Sequence, residues 1–313
     1  MPEHKAPRNK TIDTTVEEGK ALLERCIRVE HDVALGDVLD RLILGDSLEV
    51  IPHLPSGFAD LIIADPPYNL YKDFGGKKFA RRDPAAYEKY TRAWLSIVAP
   101  LLKPDGSIYV CCDWESSLVI GKVMGEMFNV RNRITWQREK GRGATSNWKN
   151  GMEDIWYATA GSDFTFNLDD VKLRRRVIAP YREGGKPKDW QETGAGNFRD
   201  TCPSNFWDDI SIPFWSMPEN TAHPTQKPEK LLAKLILASS NPGDVVFDPF
   251  AGSGSALVTA SKLGRSYVGI EISDQYCVWA QERLERAVSD RTIQGYADGV
   301  FWERNTFANQ KNK

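Results

Sequence analysis

The chain has 313 residues, 41% of them hydrophobic, enough for one large α/β core, alone or with a smaller satellite. That composition excludes long disorder away from the ends, and a formal charge of −2 argues against a protein that coats nucleic acid non-specifically. Five cysteines without disulfide or zinc spacing, no secretory signal after Lys5, Arg8 and Lys10, and no membrane-length apolar run indicate reduced thiols in a cytoplasmic protein.

Residues 1–35 are polar and charged, with one weakly helical piece around Ala21-Leu22-Leu23. Leu42-Ile43-Leu44 is a short apolar run closed by Gly45-Asp46-Ser47. Leu48 to Ile51 follows, and Pro52 cuts it off before its type is defined. Ala59 to Ala64 reads as a buried strand, stopped by Pro66-Pro67, and Pro66 biases Asp65 toward an extended backbone. Helical spacing runs from Tyr87 to Leu102, with Tyr90, Trp94, Ile97 and Leu101 on one side. Pro104-Asp105-Gly106 marks a turn before a strand at 107–111. Leu118 to Phe128 reads as a helix, and 133–136 and 154–158 as two strands with no clear helix between them. Alternating strands and helices that end in two adjacent strands predict a mostly parallel sheet with an antiparallel edge.

From 161 to 218 the periodicity dissolves into Gly, Pro, Asn, Asp and Trp, which reads as an inserted subdomain or long ordered loops. Residues 131–200 hold 14 Lys/Arg against 10 Asp/Glu, a net +4, so the rest of the chain carries −6. A locally positive surface on an acidic body can face phosphates. Regular structure resumes at Pro228, with a helix to Ser239 whose apolar face is Leu231, Leu232, Leu235 and Ile236. A strand at 245–247, a helix at 256–263, a strand at 266–270 ending in Glu271 and a helix at 275–288 close the pattern.

Asp248-Pro249-Phe250-Ala251-Gly252-Ser253-Gly254-Ser255 lies between a strand and a helix. Gly252 and Gly254 lack a Cβ, so a ligand can approach the backbone, and the helix start presents free N–H groups. The third glycine of the dinucleotide fingerprint is missing, and no Gly-Lys-Ser/Thr follows. Glu271 ends the next strand, where a carboxylate can accept both ribose hydroxyls of a nucleoside. Asp248 is placed to take a ligand ammonium or to order the loop. Asp46, beside Gly45, faces the same cleft or caps a helix.

Asp65-Pro66-Pro67-Tyr68 ends the earlier strand. The exocyclic amine of a base is a poor nucleophile because its lone pair is delocalised into the ring. An Asp side chain and a rigidly held carbonyl that accept its two N–H bonds favour a more pyramidal nitrogen. Pro66 has no N–H, and Pro66-Pro67 holds its carbonyl in place. Tyr68 offers a flat face for a base taken out of its helix, and Asn69 a group to orient the site. In His223-Pro224-Thr225-Gln226-Lys227-Pro228, Lys227 suits a ligand carboxylate, Thr225 and Gln226 suit hydrogen bonds, and His223 is a helix-start anchor or a ligand contact. Lys140, Arg142, Lys149, Arg174, Arg175 and Arg176 are candidate phosphate contacts. Asn147, Asn150, Gln191 and Asn197 are within the same stretch and of a type that reads base edges, whereas Trp207 and Trp215 read as subdomain packing.

On these motifs the chain resembles the S-adenosylmethionine-dependent amino-methyltransferases of DNA, of the permuted class called beta. In that class the catalytic motif comes first, a recognition region follows and the cofactor motif comes last. The resemblance covers about 38–288. It implies a Rossmann-like methyltransferase fold, circularly permuted, with a small target-recognition insert. Asp65-Pro66-Pro67-Tyr68 then matches the catalytic motif, with Tyr68 stacking on a flipped base, and Asp248 to Gly254 the cofactor loop. Glu271 matches the ribose acid, residues 223–228 a segment near the methionine moiety, and Asp46 a residue near the cofactor adenine. The implied organisation is an N-terminal extension (1–35), a catalytic half (36–158), a recognition region (159–218), a cofactor half (219–292) and a C-terminal tail (293–313). S-adenosyl-L-methionine is the implied cofactor and double-stranded DNA the implied partner, with no metal and no membrane. A homodimer and a cognate restriction endonuclease are further possible partners. Asp at position 65 looks more like the adenine-N6 enzymes than the cytosine-N4 ones. The other readings are cytosine-N4 transfer, methylation of RNA or of a protein glutamine, a non-catalytic DNA-binding protein that kept the fold, and a dehydrogenase.

Overall fold

The computed structural model describes residues 6–69, 72–74, 77–79, 81–138, 145–177, 181–193 and 196–303. Its main sheet has eight strands: β1 (Arg41–Leu44), β2 (Ala59–Ala64), β3 (Leu102–Cys112), β4 (Asn129–Gln137), β5 (Met152–Thr159), β6 (Phe206–Trp207), β7 (Val245–Asp248) and β8 (Ser266–Glu271). The order across the sheet is β1-β8-β7-β2-β3-β5-β4-β6. The first five are parallel, β5 is antiparallel to β3 and β4, and β6 returns parallel to β4. The predicted mostly parallel sheet is present, but its one reversed strand, β5, lies between β3 and β4 and not at the edge, where β6 runs parallel to β4. Residues 42–44, 59–64, 107–112 and 245–248 of the parallel strands are almost wholly buried, as strands covered by helices on either side must be.

Five helices cover the sheet: α1 (Pro84–Val98), α2 (Trp114–Met127), α3 (Glu229–Ser239), α4 (Ser255–Lys262) and α5 (Asp274–Ser289). Asp83 caps α1 by accepting from the Ala86 amide, and Asp113 caps α2 by accepting from the Ser116 amide. Trp94, Leu95 and Val98 of α1 and Ile120, Val123 and Met124 of α2 pack on one face of the sheet. Leu231, Leu232, Leu235 and Ile236 of α3 pack on the other. The segment of open type is a single helical turn, Ser47–Val50, continued by a tighter turn at Ile51–His53.

Two local expectations give way to tertiary pairing. Pro104-Asp105-Gly106 does not precede β3 but lies inside it: the partner of β2 jumps from Leu102 to Ser107 while β2 advances from Ala59 to Leu61. The turn signal is absorbed as a bulge. Nor is α3 amphipathic in its surroundings, because all eleven of its residues are buried. A second sheet, containing Gln191–Thr193, Gly196–Thr201, Leu173–Arg176, Val300–Trp302 and Tyr296–Ala297 in that order, accounts for its far side. Ala233, Leu237 and Ala238 meet Val171, Leu173, Ile293 and Phe301 there. Lys230 and Lys234 reach Asp209 at 2.7 Å each. The described residues of 161–218 thus include three strands of this second sheet, and Tyr296–Ala297 and Val300–Trp302, in the stretch read as a tail, complete it.

Gly254 opens α4 at φ +74°, and a Cβ there would lie 2.7 Å from the Cβ of Ala280 in α5. The residue lets two helices touch. Gly254→Ala is expected to cost about 2–4 kcal/mol, from left-handed backbone strain plus overpacking. The measurement is the urea midpoint, and an unchanged midpoint would contradict the assignment.

Candidate active site

The carboxyl ends of the parallel strands open onto a cavity of about 390 Å³, at the end of an α/β sheet where ligands bind. Both sequence motifs line it. Asp65, Pro66, Pro67 and Tyr68 come from the end of β2, and Asp248, Phe250 and Gly252 from the end of β7. The two strands are neighbours, pairing Val246 with Leu61 and Phe247 with Ile62. Motifs far apart in the chain are adjacent because β7 inserts between β2 and β8.

One half of the cavity is built around Glu271 at the end of β8. Its Oε2 accepts from the Gly252 amide and its Oε1 from the Ser273 amide, both at 2.8 Å. Gly252 holds φ +53°, and a Cβ there would stand 3.2 Å from the His223 Nε2. Asp248 orders its own loop by accepting from the Phe250 amide at 2.9 Å. Burial pushes the Asp248 carboxyl up to about 8, against the Phe250 amide, and the nearby Asp65 and Glu271 add to the rise. The Lys227 charge works against the rise without cancelling it. The Phe250 ring meets Trp94 edge-on at 5.4 Å. Asp46 caps the Ser47–Val50 turn by accepting from the Leu48 amide at 3.0 Å while lining the cavity, so its two readings hold together. The Ser47 hydroxyl donates to the Pro249 carbonyl and ties that turn to the loop.

His223, Thr225, Gln226 and Lys227 add a further wall. The Gln226 carboxamide accepts from the Thr221 amide and hydroxyl and donates to the Glu219 carbonyl, so it braces the segment. Thr225 lines the cavity, and its amide is 3.3 Å from the His223 Nδ1. The His223 ring stands edge-on to Tyr276 at 4.4 Å.

Lys227 does not present its ammonium to the glycine loop. Its Nζ lies 2.6 Å from Asp65 Oδ2, 3.0 Å from the Tyr68 hydroxyl and 3.3 Å from Glu153 Oε2. Burial alone would lower its pKa, but Asp65 and Glu153 outweigh burial and raise it. Tyr68 donates toward the other oxygen of Asp65 at 2.9 Å and toward Glu153 at 3.2 Å. Burial, then Asp65 and Glu153, hold that phenol well above its ordinary value. Asn69 clamps the backbone of Arg82 in both directions, at 2.7 and 2.8 Å, and so closes the base of the intervening segment.

The candidate phosphate contacts divide. Lys140 and Arg142 lie outside the described residues. Lys149 is exposed, as are Arg175 and Arg176. Arg174 is taken up by a two-pronged bond to Asp200 at 2.7 Å and packs over Trp302. Trp207 is buried against Lys234, whereas Trp215 is half-exposed.

Three residues of the site were not anticipated. Glu153, the second residue of β5, is buried and pairs with both Lys227 and Arg138. Arg82 and Tyr90 wall the cavity, the guanidinium 4.7 Å from the ring centroid. The only sequence signal for Glu153 was an acidic pair, Glu153-Asp154, at the head of an apolar strand.

The order of strands, the helices on both faces and the cavity at the carboxyl ends define a Rossmann-like methyltransferase fold. Solved structures agree. The M1.HpyAVI–SAM complex aligns with a TM-score of 0.54 over 78% of this chain and 98% of that one, at 24% identity. The cytosine-N4-specific PvuII DNA methyltransferase aligns with 0.55 over 84% and 94%, at 16% identity. In sequence, the chain is 36% identical over 253 residues to the type II methyltransferase M.HpaI of Haemophilus parainfluenzae, covering 78% of this chain and 74% of that one. It is 33% identical over 264 residues to the DNA adenine methyltransferase YhdJ of Escherichia coli (strain K12), covering 80% and 85%. Residues 59–282 match the family model described as DNA methylase, and the chain belongs to that family.

Proposed function

We propose that this protein methylates the N6 amine of adenine in duplex DNA, with S-adenosylmethionine as methyl donor. The observation that carries the reading is the single cavity shared by the Asp65 turn and the Asp248–Glu271 loop. Two features favour adenine over cytosine: Asp rather than Ser at position 65, and the likeness to an enzyme named as a DNA adenine methyltransferase.

The residues present fit the donor. A cavity of about 390 Å³ holds a nucleoside-sized ligand, and its carboxyl groups suit a ligand that is cationic and carries a ribose. Glu271 is placed for the ribose hydroxyls, Asp46 for the adenine amine and Asp248 for the ammonium. When bound, the donor supplies an electrophilic methyl on a positively charged sulfur, so no strong general base is required. Asp65 and the Pro66 carbonyl accept the two N–H bonds of the target amine and leave its lone pair facing the Glu271 half of the cavity. Tyr68 supplies the flat surface for a base turned out of the duplex. The surplus proton leaves afterwards to solvent. Residues 159–218 and the 137–152 connection hold the DNA, with Lys149, Arg175 and Arg176 on phosphates.

A pH dependence follows from Asp248. Its carboxyl is raised to about 8, so the free protein holds that proton across much of the neutral range. A cationic donor favours the carboxylate, so binding should release up to one proton at pH 7 and tighten as pH rises from 6 to 8. The sign for folding is the reverse: the folded chain binds this proton more tightly than the unfolded one, so this contribution to stability falls with rising pH in the same window. Calorimetry in two buffers of different ionisation enthalpy measures the released proton, and proton uptake would contradict the assignment.

The function is tested by incubating unmethylated bacterial genomic DNA with the protein and methyl-labelled S-adenosylmethionine, then digesting to nucleosides. N6-methyladenine in a fixed sequence context is the expected product. N4-methylcytosine would assign the other amine to the same site, and no labelled base would refute the reading.

A further inference from the structure

Both oxygens of the Asp65 carboxylate are already occupied by the protein. Tyr68 takes Oδ1 at 2.9 Å, and the Lys227 ammonium takes Oδ2 at 2.6 Å. Each oxygen can accept a further hydrogen bond, so a target amine that donates to Asp65 competes with the ammonium for the same negative charge. The Lys227 ammonium has a second anion within reach, because Glu153 Oε2 is only 3.3 Å from Nζ. A shift of a few tenths of an ångström turns that contact into a full charge-assisted hydrogen bond. Lys227 and Glu153 are both buried, their side chains 7% and 6% exposed, so water cannot take over either role. Arg138, the residue that follows β4, donates to the other oxygen of Glu153. Asp65 and Glu153 are thus balanced by Lys227 and Arg138, and the four form one neutral chain.

We propose that Lys227 is a displaceable guard on Asp65, and that Glu153, fixed by Arg138, is the acceptor to which the ammonium withdraws when the target amine arrives. This rests on the methyl-transfer reading of the cavity. Lys227 stays protonated throughout, and no bond other than hydrogen bonds is exchanged. While the site is empty, the guard satisfies Asp65 and keeps the turn in place. When an amine enters, it inherits an acceptor that is already oriented. Glu153 and Arg138 are positioning residues, because they act through Lys227 and not on the base.

The guard makes an unusual ranking of variants. Lys227→Arg keeps the charge but spans both carboxylates with a fork that cannot let go of one alone. It should slow single-turnover methyl transfer into unmethylated bacterial genomic DNA by about 30-fold or more, whereas Lys227→Met, which leaves Asp65 open, should stay within about tenfold of the unaltered protein. Glu153→Gln removes the charge that draws Lys227 away, and should also be slower by about 30-fold, while Glu153→Gln combined with Lys227→Met should regain about tenfold of that loss. Dissociation constants for S-adenosylmethionine should stay within about threefold in Lys227→Arg and Glu153→Gln, which keep a cation beside Asp248, and within about tenfold in the two variants with Lys227→Met, which remove it.

A merely structural ion pair predicts the opposite order, with Lys227→Arg milder than Lys227→Met and no recovery in the double variant. Either result overturns the guard. If Glu153→Gln does not fold, the Lys227 pair alone decides by its order. If the unaltered protein moves no label into DNA while binding S-adenosylmethionine, the methyl-transfer reading has failed, which is distinct from label transfer with the wrong ranking of variants.

Discussion

Replacing Asp65 by Ala is expected to lower single-turnover methyl transfer by about 10³-fold or more, the scale of losing a preorganised acceptor aimed at the reacting group. S-adenosylmethionine affinity should change by no more than about tenfold, because Asp65 makes no hydrogen bond to the glycine loop and acts on it only through its charge near Asp248. The exocyclic amine needs an acceptor that pulls its N–H bonds out of the ring plane, and the Pro66 carbonyl alone supplies only one of two. Asp65→Asn, which keeps the shape and an acceptor oxygen but removes the charge, should fall between, at about 10²-fold. Lys227 still has Glu153 as an anion in both variants, so folding should survive. Rapid-quench transfer measured beside equilibrium cofactor binding separates the two effects, and normal transfer in Asp65→Ala would remove Asp65 from the mechanism.

The second large effect is expected at Glu271. Its carboxylate accepts from the Gly252 and Ser273 amides and so shapes the loop, and in the proposed function it also accepts from the ribose. Glu271→Ala leaves both amides without that partner and removes the ribose acceptor, and the loss should reach about 3 kcal/mol, or about 10²-fold in S-adenosylmethionine affinity. At saturating donor the rate of transfer should largely return, because Asp65 and Pro66 are unaffected. An unchanged dissociation constant would refute the placement of the donor in this half of the cavity.

The elements that sequence made legible are those whose local chemistry agrees with their tertiary role. Ala59–Ala64 has the bounds of the apolar run, and the proline pair that stops it is also the turn that delivers Asp65. The glycine loop and Glu271 were readable because each sits at a strand end, where an α/β sheet presents its ligands. The bulge at 103–106 was not legible, since Pro104-Asp105-Gly106 is a turn by every local rule and only pairing with β2 carries the strand through it. The burial of α3 was hidden for a similar reason. Lys230 and Lys234 look like a solvated face, and their cover comes from strands distant in sequence. The site shows the same limit. By residue type Lys227 suits a ligand carboxylate, but its ammonium is held by the carboxylates of Asp65 and Glu153, which no spacing rule links to it. Glu153 carried almost no signal, being one acid at the mouth of a strand.

The central claim is that the early Asp-Pro-Pro-Tyr turn and the late glycine loop serve one reaction in one cavity. A bisubstrate ligand tests it most directly: an adenine joined through N6 to the sulfur position of an S-adenosylmethionine analogue. The account predicts that it binds at least about tenfold more tightly than the analogue alone. That gain should vanish in Asp65→Ala, and Glu271→Ala should weaken both ligands alike. Equal affinity for the two ligands, or a gain that survives the loss of Asp65, would contradict a shared site.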